Sequence, residues 1–186
     1  MREGNREFIE NVSFWGGFAI IVFGAVWHFA YQASGYNPVV GLLAPVNESV
    51  WEHMKLLAIP LFAVGFRDYD CLRRQVNDLC FALLKELAIG VVVIAGLYYL
   101  YSFVLGRDVL VLDVIIFILG VAAARWVGCE IMLGTFKKWE FRGLNLLSGF
   151  LLAAIAFFVV WVTLYPPHSG LFKDPISGTY GIYEKR

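Results

Sequence analysis

The stretch LNLLSGFLLAAIAFFVVWVTLY, residues 144–165, contains no charged side chain and is long enough to cross the hydrocarbon core of a bilayer as a helix. Pro166 and Pro167 follow it directly. Proline ends a helix because it has no backbone N–H and its ring clashes with the preceding turn. The stretch therefore predicts a transmembrane helix that ends at Tyr165.

The same kind of apolar run recurs along the whole chain of 186 residues, of which 60% are hydrophobic and 16% charged. Soluble proteins carry about 25% charged residues. The 15 basic and 15 acidic residues balance, which argues against nucleic acid as a partner. We therefore expect one all-α domain, residues 1–186: a polytopic helix bundle in the cell membrane, partnered by the lipid bilayer, with five spans at about 14–33, 51–66, 87–105, 109–128 and 144–165.

The distribution of Lys and Arg predicts the orientation of these spans, because cytoplasmic loops are enriched in both residues. One set of loops has only Arg107, whereas the N-terminus and the alternating loops hold Arg2, Arg6, Arg67, Arg73, Arg74, Lys137, Lys138 and Arg142. The N-terminus is then cytoplasmic. The tail, residues 166–186, adds Lys173, Lys185 and Arg186 to the other side without reversing the bias. Large apolar residues among its turn formers predict that it folds back over the extracytoplasmic face, anchored by Phe172, Tyr180 and Ile182.

Polar side chains gather at the extracytoplasmic side of this topology. Ionisable groups in a span are costly and need a partner or a function, and a group of His and carboxylate residues from distant segments is typical of a metal or acid–base site. We expect zinc or another divalent metal there, with Glu52 as general base and Glu48 as a second catalytic carboxylate or further ligand. The expected ligands are His28, His53, His168, Asp113 and Asp174, and the tail would place His168 and Asp174 over Glu48 and His53.

Each of these residues also has a structural interpretation. His28 can make a helix-packing hydrogen bond. Ser49 and Glu52 fit a capping box, and Glu48 and Glu52 can share a helix face that Lys55 neutralises. Asp113 can pair with Arg107, Asp174 can belong to a turn, and Arg125 at the cytoplasmic side can pair with Glu86 or Glu130. Three functions stay open: a metal-dependent hydrolase acting on a lipid or a peptide, a module that binds or transports a small solute or ion, and a structural or assembly subunit.

The segment PVNESVWEH, residues 45–53, with Lys55 after it and FKDP at 172–175 before Tyr180 and Gly181, resembles a family of small bacterial integral membrane proteins of unknown function. That resemblance covers nearly the whole chain. It implies a membrane-protein architecture but names no enzymatic reaction. A looser similarity to membrane zinc hydrolases of the ceramidase and adiponectin-receptor type implies a metal held in one leaflet. This chain lacks the H-x-x-x-H pair and two of the helices of those enzymes.

Overall fold

The computed structural model of the protein describes residues 3–135 and 142–182 and shows an all-helical bundle. The helices are α1 (Glu3–Trp27), α2 (Ala30–Ala33), α3 (Pro38–Gly41), α4 (Val50–Leu72), α5 (Leu79–Leu105), α6 (Leu110–Met132) and α7 (Arg142–Leu164). Short loops join α4 to α5 and α5 to α6, whereas two one-turn helices lie between the first and the second long helix. The predicted fold class is confirmed.

Within the described residues, four helices are long and apolar enough to cross a membrane: α1, α5, α6 and Gly143–Leu164 of α7. They expose large apolar side chains, among them Phe14 and Phe103, as expected for a surface that faces lipid. The helix α4 is outside this group and carries charged residues near both ends. The five-span count and the orientation remain predictions, and Arg2, Lys137, Lys138, Lys185 and Arg186 lie outside the described residues.

The first apolar run is not one helix. After Trp27 the backbone hydrogen bonds change from a four-residue to a three-residue spacing. The N–H of His28 still bonds to the carbonyl of Gly24, whereas the N–H of Phe29 bonds to the carbonyl of Val26. Such a tighter turn is common where an α-helix ends. The predicted span 14–33 therefore contains the end of α1, and His28 lies just beyond that end.

The helices α1 and α4 pack antiparallel, since Gly24 lies against Leu56 and Gly16 lies against Val64. The core between them and their neighbours is apolar and includes Ile20, Leu57, Leu61, Leu87 and Val121. We call the end of the bundle where α1 ends and α4 begins the site end, and the opposite end the far end.

A buried ionic cluster ties four helices together at the far end. Arg125 of α6 donates hydrogen bonds to Asp68 of α4 at 2.7 Å, to Glu86 of α5 at 2.8 Å and to the carbonyl oxygen of Ser13 in α1 at 3.1 Å. The predicted pairing of Arg125 with Glu86 is confirmed. Glu130, the alternative partner, instead accepts a hydrogen bond from the Thr135 hydroxyl.

The tail folds back on the start of α4, as predicted. The carbonyl oxygen of Leu171 accepts the N–H of Trp51 at 3.1 Å, and the Phe172 ring lies 5.1 Å from the Trp51 ring. The Asn47 amide donates to the carbonyl oxygen of Gly181 at 3.1 Å. Residues 183–186 of the predicted tail lie outside the described residues.

Candidate metal centre

Three of the predicted site residues meet at the site end. His28, Glu48 and His53 each offer one ligand atom, and these atoms lie within 4.8 Å of one another. The Glu48 carboxylate is 3.3 Å from Nε2 of His53 and 3.9 Å from Nε2 of His28. The two imidazole rings stack with their centres 5.5 Å apart. Residues from the end of α1, a loop and the first turns of α4 thus converge on one point.

The start of α4 separates Glu48 from His53. Ser49 is the N-cap: its backbone is extended and its hydroxyl accepts the N–H of Glu52 at 3.3 Å. Asn47 in turn accepts the N–H of Ser49 at 2.9 Å. Glu48 therefore lies in the loop, whereas His53 lies one turn inside the helix and points back toward it.

The hydrogen bonds of His53 define which ring nitrogen is free. Its Nδ1 lies 3.0 Å from the carbonyl oxygen of Ser49, and a carbonyl oxygen can only accept, so Nδ1 carries a proton. Its Nε2 faces the Glu48 carboxylate, which is also an acceptor when ionised. This contact is favourable if Nε2 is protonated as well, or if a cation lies between the two groups. A backbone carbonyl that orients a histidine in this way is common around metal ligands.

The centre is open on one side. The side chains of His28, Glu48 and His53 are 28%, 45% and 35% exposed. The hydrogen bond from His53 lowers the pKa of the Glu48 carboxyl below its ordinary value, against the opposing effect of partial burial. Glu48 is therefore ionised at neutral pH. The Nδ1 atom of His28 is buried and has no hydrogen-bond partner among the described residues.

These donors fit a divalent transition metal. Two imidazoles and one carboxylate form a set found at catalytic zinc sites, with bonds of about 2.0–2.2 Å and one position left for water or substrate. Tetrahedral geometry at that bond length needs ligand atoms about 3.3 Å apart. The distance from the Glu48 carboxylate to Nε2 of His53 is 3.3 Å and has this value, whereas the distance to Nε2 of His28 is longer, at 3.9 Å.

Asp113 approaches the centre from α6. Its carboxylate accepts a hydrogen bond from the Tyr101 hydroxyl of α5. Tyr101 also accepts the N–H of Val109 at 3.4 Å, so the turn between α5 and α6 holds both groups. The predicted structural pairing with Arg107 does not occur among the hydrogen bonds and ion pairs of the described residues. Asp113 thus adds negative charge beside the cluster.

Glu52 has a different environment from the one predicted for a general base. Its carboxylate is buried, accepts the Lys55 ammonium at 2.7 Å and accepts the N–H of Val46 at 3.0 Å. The capping box is half formed, since Glu52 does not bond back to the N–H of Ser49. Glu52 and His53 diverge because successive helical residues are about 100° apart.

The structure does not bring His168 and Asp174 into the cluster. Asp174 accepts hydrogen bonds within its own turn, from the N–H of Ile176 and the hydroxyl of Ser177 at 2.5 Å. His168 packs its ring on Tyr180 at 4.7 Å. The tail docks on Trp51, and positions 51 and 53 of a helix point in nearly opposite directions. The tail therefore contacts the side of α4 that faces away from His53.

Two contributors to the centre were not predicted from the sequence. The backbone carbonyl of Ser49 orients His53. The sequence pattern that could have indicated this contact is a histidine four residues after the N-cap of a helix. Tyr101 holds Asp113, and its signal is a tyrosine placed just before a tight turn between two spans.

A family model matches residues 5–182 of the chain, nearly its full length. The family is DUF6512, a family of unknown function. The chain belongs to this family. No curated protein and no solved structure matches it. Membership of the DUF6512 family therefore assigns no activity to the chain.

Proposed function

We propose that this membrane protein is a metal-dependent hydrolase whose metal, zinc or a similar divalent cation, is held by His28, Glu48 and His53. The observation that carries the proposal is the convergence of three ligand atoms within 4.8 Å from three separate segments. Zinc with three protein ligands retains an open position and lowers the pKa of a bound water to about 7. The half-exposed side chains leave room for such a position.

The carboxylates around the centre take different roles in this proposal. Glu48 is a ligand because its carboxylate oxygens approach Nε2 of both imidazoles. Glu52 is excluded as the proton acceptor because Lys55 and the N–H of Val46 already engage its buried carboxylate. Asp113 is the proton acceptor in our assignment, since it lies in the first turn of α6 at the same end of the bundle and the Tyr101 hydroxyl holds its orientation.

Transport of a solute or ion along α4 is less well supported. The ionisable groups on this helix lie near its two ends, with Glu52, His53 and Lys55 near the site end and Arg67, Asp68 and Asp70 near the far end. The buried positions between Lys55 and Asp68 are apolar: Leu57, Ala58, Pro60, Leu61 and Val64. A polar path needs polar lining, and α4 offers none along its buried side between Lys55 and Asp68.

The proposal is tested by metal content and turnover. The protein is purified in detergent, stripped with a chelator, reloaded with zinc and analysed by elemental analysis. We expect about one equivalent in the wild type and less than about a tenth in His53→Ala and Glu48→Ala, because a site that loses one of three ligands binds metal poorly. The matched control is His168→Ala, which removes a histidine outside the cluster and should bind as the wild type does.

Turnover then separates a hydrolase from a metal-binding module. The zinc-loaded wild type is incubated with phospholipid vesicles and with a peptide library, and products are detected by mass spectrometry. Metal-dependent cleavage that is lost in Asp113→Asn, with zinc still bound, supports the hydrolase. Bound zinc without cleavage of either substrate class contradicts it. Loss of stability alone in His53→Ala, with no zinc in the wild type, would favour a structural role.

A further inference from the structure

Lys55 and Glu52 form a buried ion pair one turn below the candidate metal centre. The two side chains are 1% and 3% exposed, and their charged atoms are 2.7 Å apart. The ammonium also donates to the carbonyl oxygens of Gly41 at 3.2 Å and Ala44 at 3.4 Å. All three protons of the ammonium therefore have an acceptor.

The pair binds the backbone that leads to Glu48. The Glu52 oxygen that pairs with Lys55 also accepts the N–H of Val46. One ion pair on α4 thus holds three backbone groups of residues 41–46. Because these groups lie immediately before Asn47 and Glu48, their position fixes where the loop arrives at α4.

Glu48 depends on this loop because it lies outside any helix. Its carboxylate lies 3.3 Å from Nε2 of His53 and 3.9 Å from Nε2 of His28, with the preceding loop docked against the first turns of α4. His28 and His53, by contrast, are placed by the packing of α1 on α4. The third ligand atom is therefore the one whose position is set by hydrogen bonds from the ion pair.

We propose that Glu52 and Lys55 are positioning residues that dock the 41–46 loop so that Glu48 completes the metal centre. This inference rests on the proposed metal site for its functional meaning. The docking of the loop can be tested without metal. The convergent ligand atoms belong to His28, Glu48 and His53, so the pair contributes by holding the backbone that leads to Glu48.

The first experiment replaces the pair with apolar residues of similar size, in the double variant Glu52→Leu/Lys55→Met. Replacing both charges avoids leaving one ion buried alone, and such exchanges are commonly tolerated. We expect zinc to bind about 10- to 100-fold more weakly, the usual effect of losing outer-shell partners of a metal site. The matched control is Glu86→Gln, which perturbs the ionic cluster at the far end and should change zinc affinity by less than about twofold.

The second experiment measures amide hydrogen exchange in zinc-free protein. In the double variant the amides of Val46 and Ser49 should exchange at least about tenfold faster, while the middle of α4 keeps its protection. Unchanged exchange at these amides overturns the proposal, as does wild-type zinc affinity in the double variant. If the wild type binds no zinc, the proposed function fails and the exchange result alone decides the positioning role.

A milder variant covers the case in which the double variant does not fold. Glu52→Gln keeps an oxygen that can accept the N–H of Val46 but removes the charge that holds Lys55. We expect the same two effects at smaller size, a loss of zinc affinity of about three- to tenfold and faster exchange at Val46. Wild-type behaviour in both measurements would contradict the proposal.

Discussion

Gly24 of α1 lies so close to Leu56 of α4 that a Cβ atom built on it would be 2.7 Å from the Leu56 carbonyl oxygen. His28 follows Gly24 by about one helical turn, and His53 precedes Leu56 by about one turn. Because the helices run antiparallel, this close approach is what places the two imidazoles side by side. A helix pair held apart by a larger residue would separate them.

The first prediction concerns this contact. Gly24→Ala should lower the free energy of unfolding by about 1–3 kcal/mol, the usual cost of overpacking, because the clash is with backbone that cannot rotate away. It should also weaken zinc binding by moving His28 away from His53. Denaturant unfolding in detergent micelles and zinc calorimetry measure both effects.

Gly96→Ala in α5 is the control for this substitution. A Cβ at Gly96 has no neighbour within 4 Å, so the change should be neutral or slightly stabilising through helix propensity. Equal losses of stability in the two variants would show that the close approach of α1 and α4 has no special role.

The second prediction concerns acid stability. The hydrogen bond from His53 lowers the pKa of Glu48 from its ordinary value of 4.5. A carboxyl whose pKa is lower in the folded state stabilises the fold above its unfolded value and loses that contribution as pH falls through the folded value. Metal-free wild type should therefore lose stability below about pH 4.5 more steeply than Glu48→Gln.

Melting temperatures recorded between pH 3 and 7, in about half-unit steps, test this prediction. The variant His53→Ala removes the main cause of the shift, so its acid limb should resemble that of Glu48→Gln. A His53→Ala curve as steep as that of the wild type would contradict the assignment of the cause.

The third prediction concerns the docked tail. Phe172→Ala should weaken docking by about 1–2 kcal/mol, since it removes the half-buried ring from contact with Trp51. Trypsin should then cleave after Lys173, whose backbone pairs with Tyr180 in the docked tail, about 5- to 30-fold faster, as that energy implies. Ile176→Ala is the control, because Ile176 is 81% exposed in the same tail and its loss should leave the cleavage rate unchanged.

The fourth prediction concerns the far end. Arg125→Met leaves Asp68 and Glu86 buried without their shared cation and should cost about 3–5 kcal/mol of unfolding free energy. Arg6→Met breaks an exposed pair with Glu10 and should change stability by less than about 0.5 kcal/mol. Chemical denaturation in detergent measures both, and a small effect of Arg125→Met would mean that water reaches the cluster.

The helix bundle was predictable because apolar runs of about 20 residues have few alternatives in a bilayer. That the tail returns to the helices was also predictable from its large apolar residues, but the side of α4 that it contacts was not. The end of α1 was not, since the sequence around Trp27 stays apolar and the turn at His28 depends on hydrogen bonds rather than on a helix breaker. The expectation that Glu48 and Glu52 share a helix face fails for a related reason: α4 begins at Val50, so Glu48 is outside it.

By itself, the sequence determined the class of protein and brought His28, Glu48 and His53 to the ends of helices, because the cost of charge in lipid confines such residues to few places. Only the tertiary structure decided which of them meet. The rotation of α4 about its axis turns His53 toward α1 and Glu52 toward the loop. It turns Trp51 toward the tail, which contains His168 and Asp174. Rotation of a helix is set by the packing of its neighbours, such as Gly24 on Leu56, and no local pattern in the sequence encodes it.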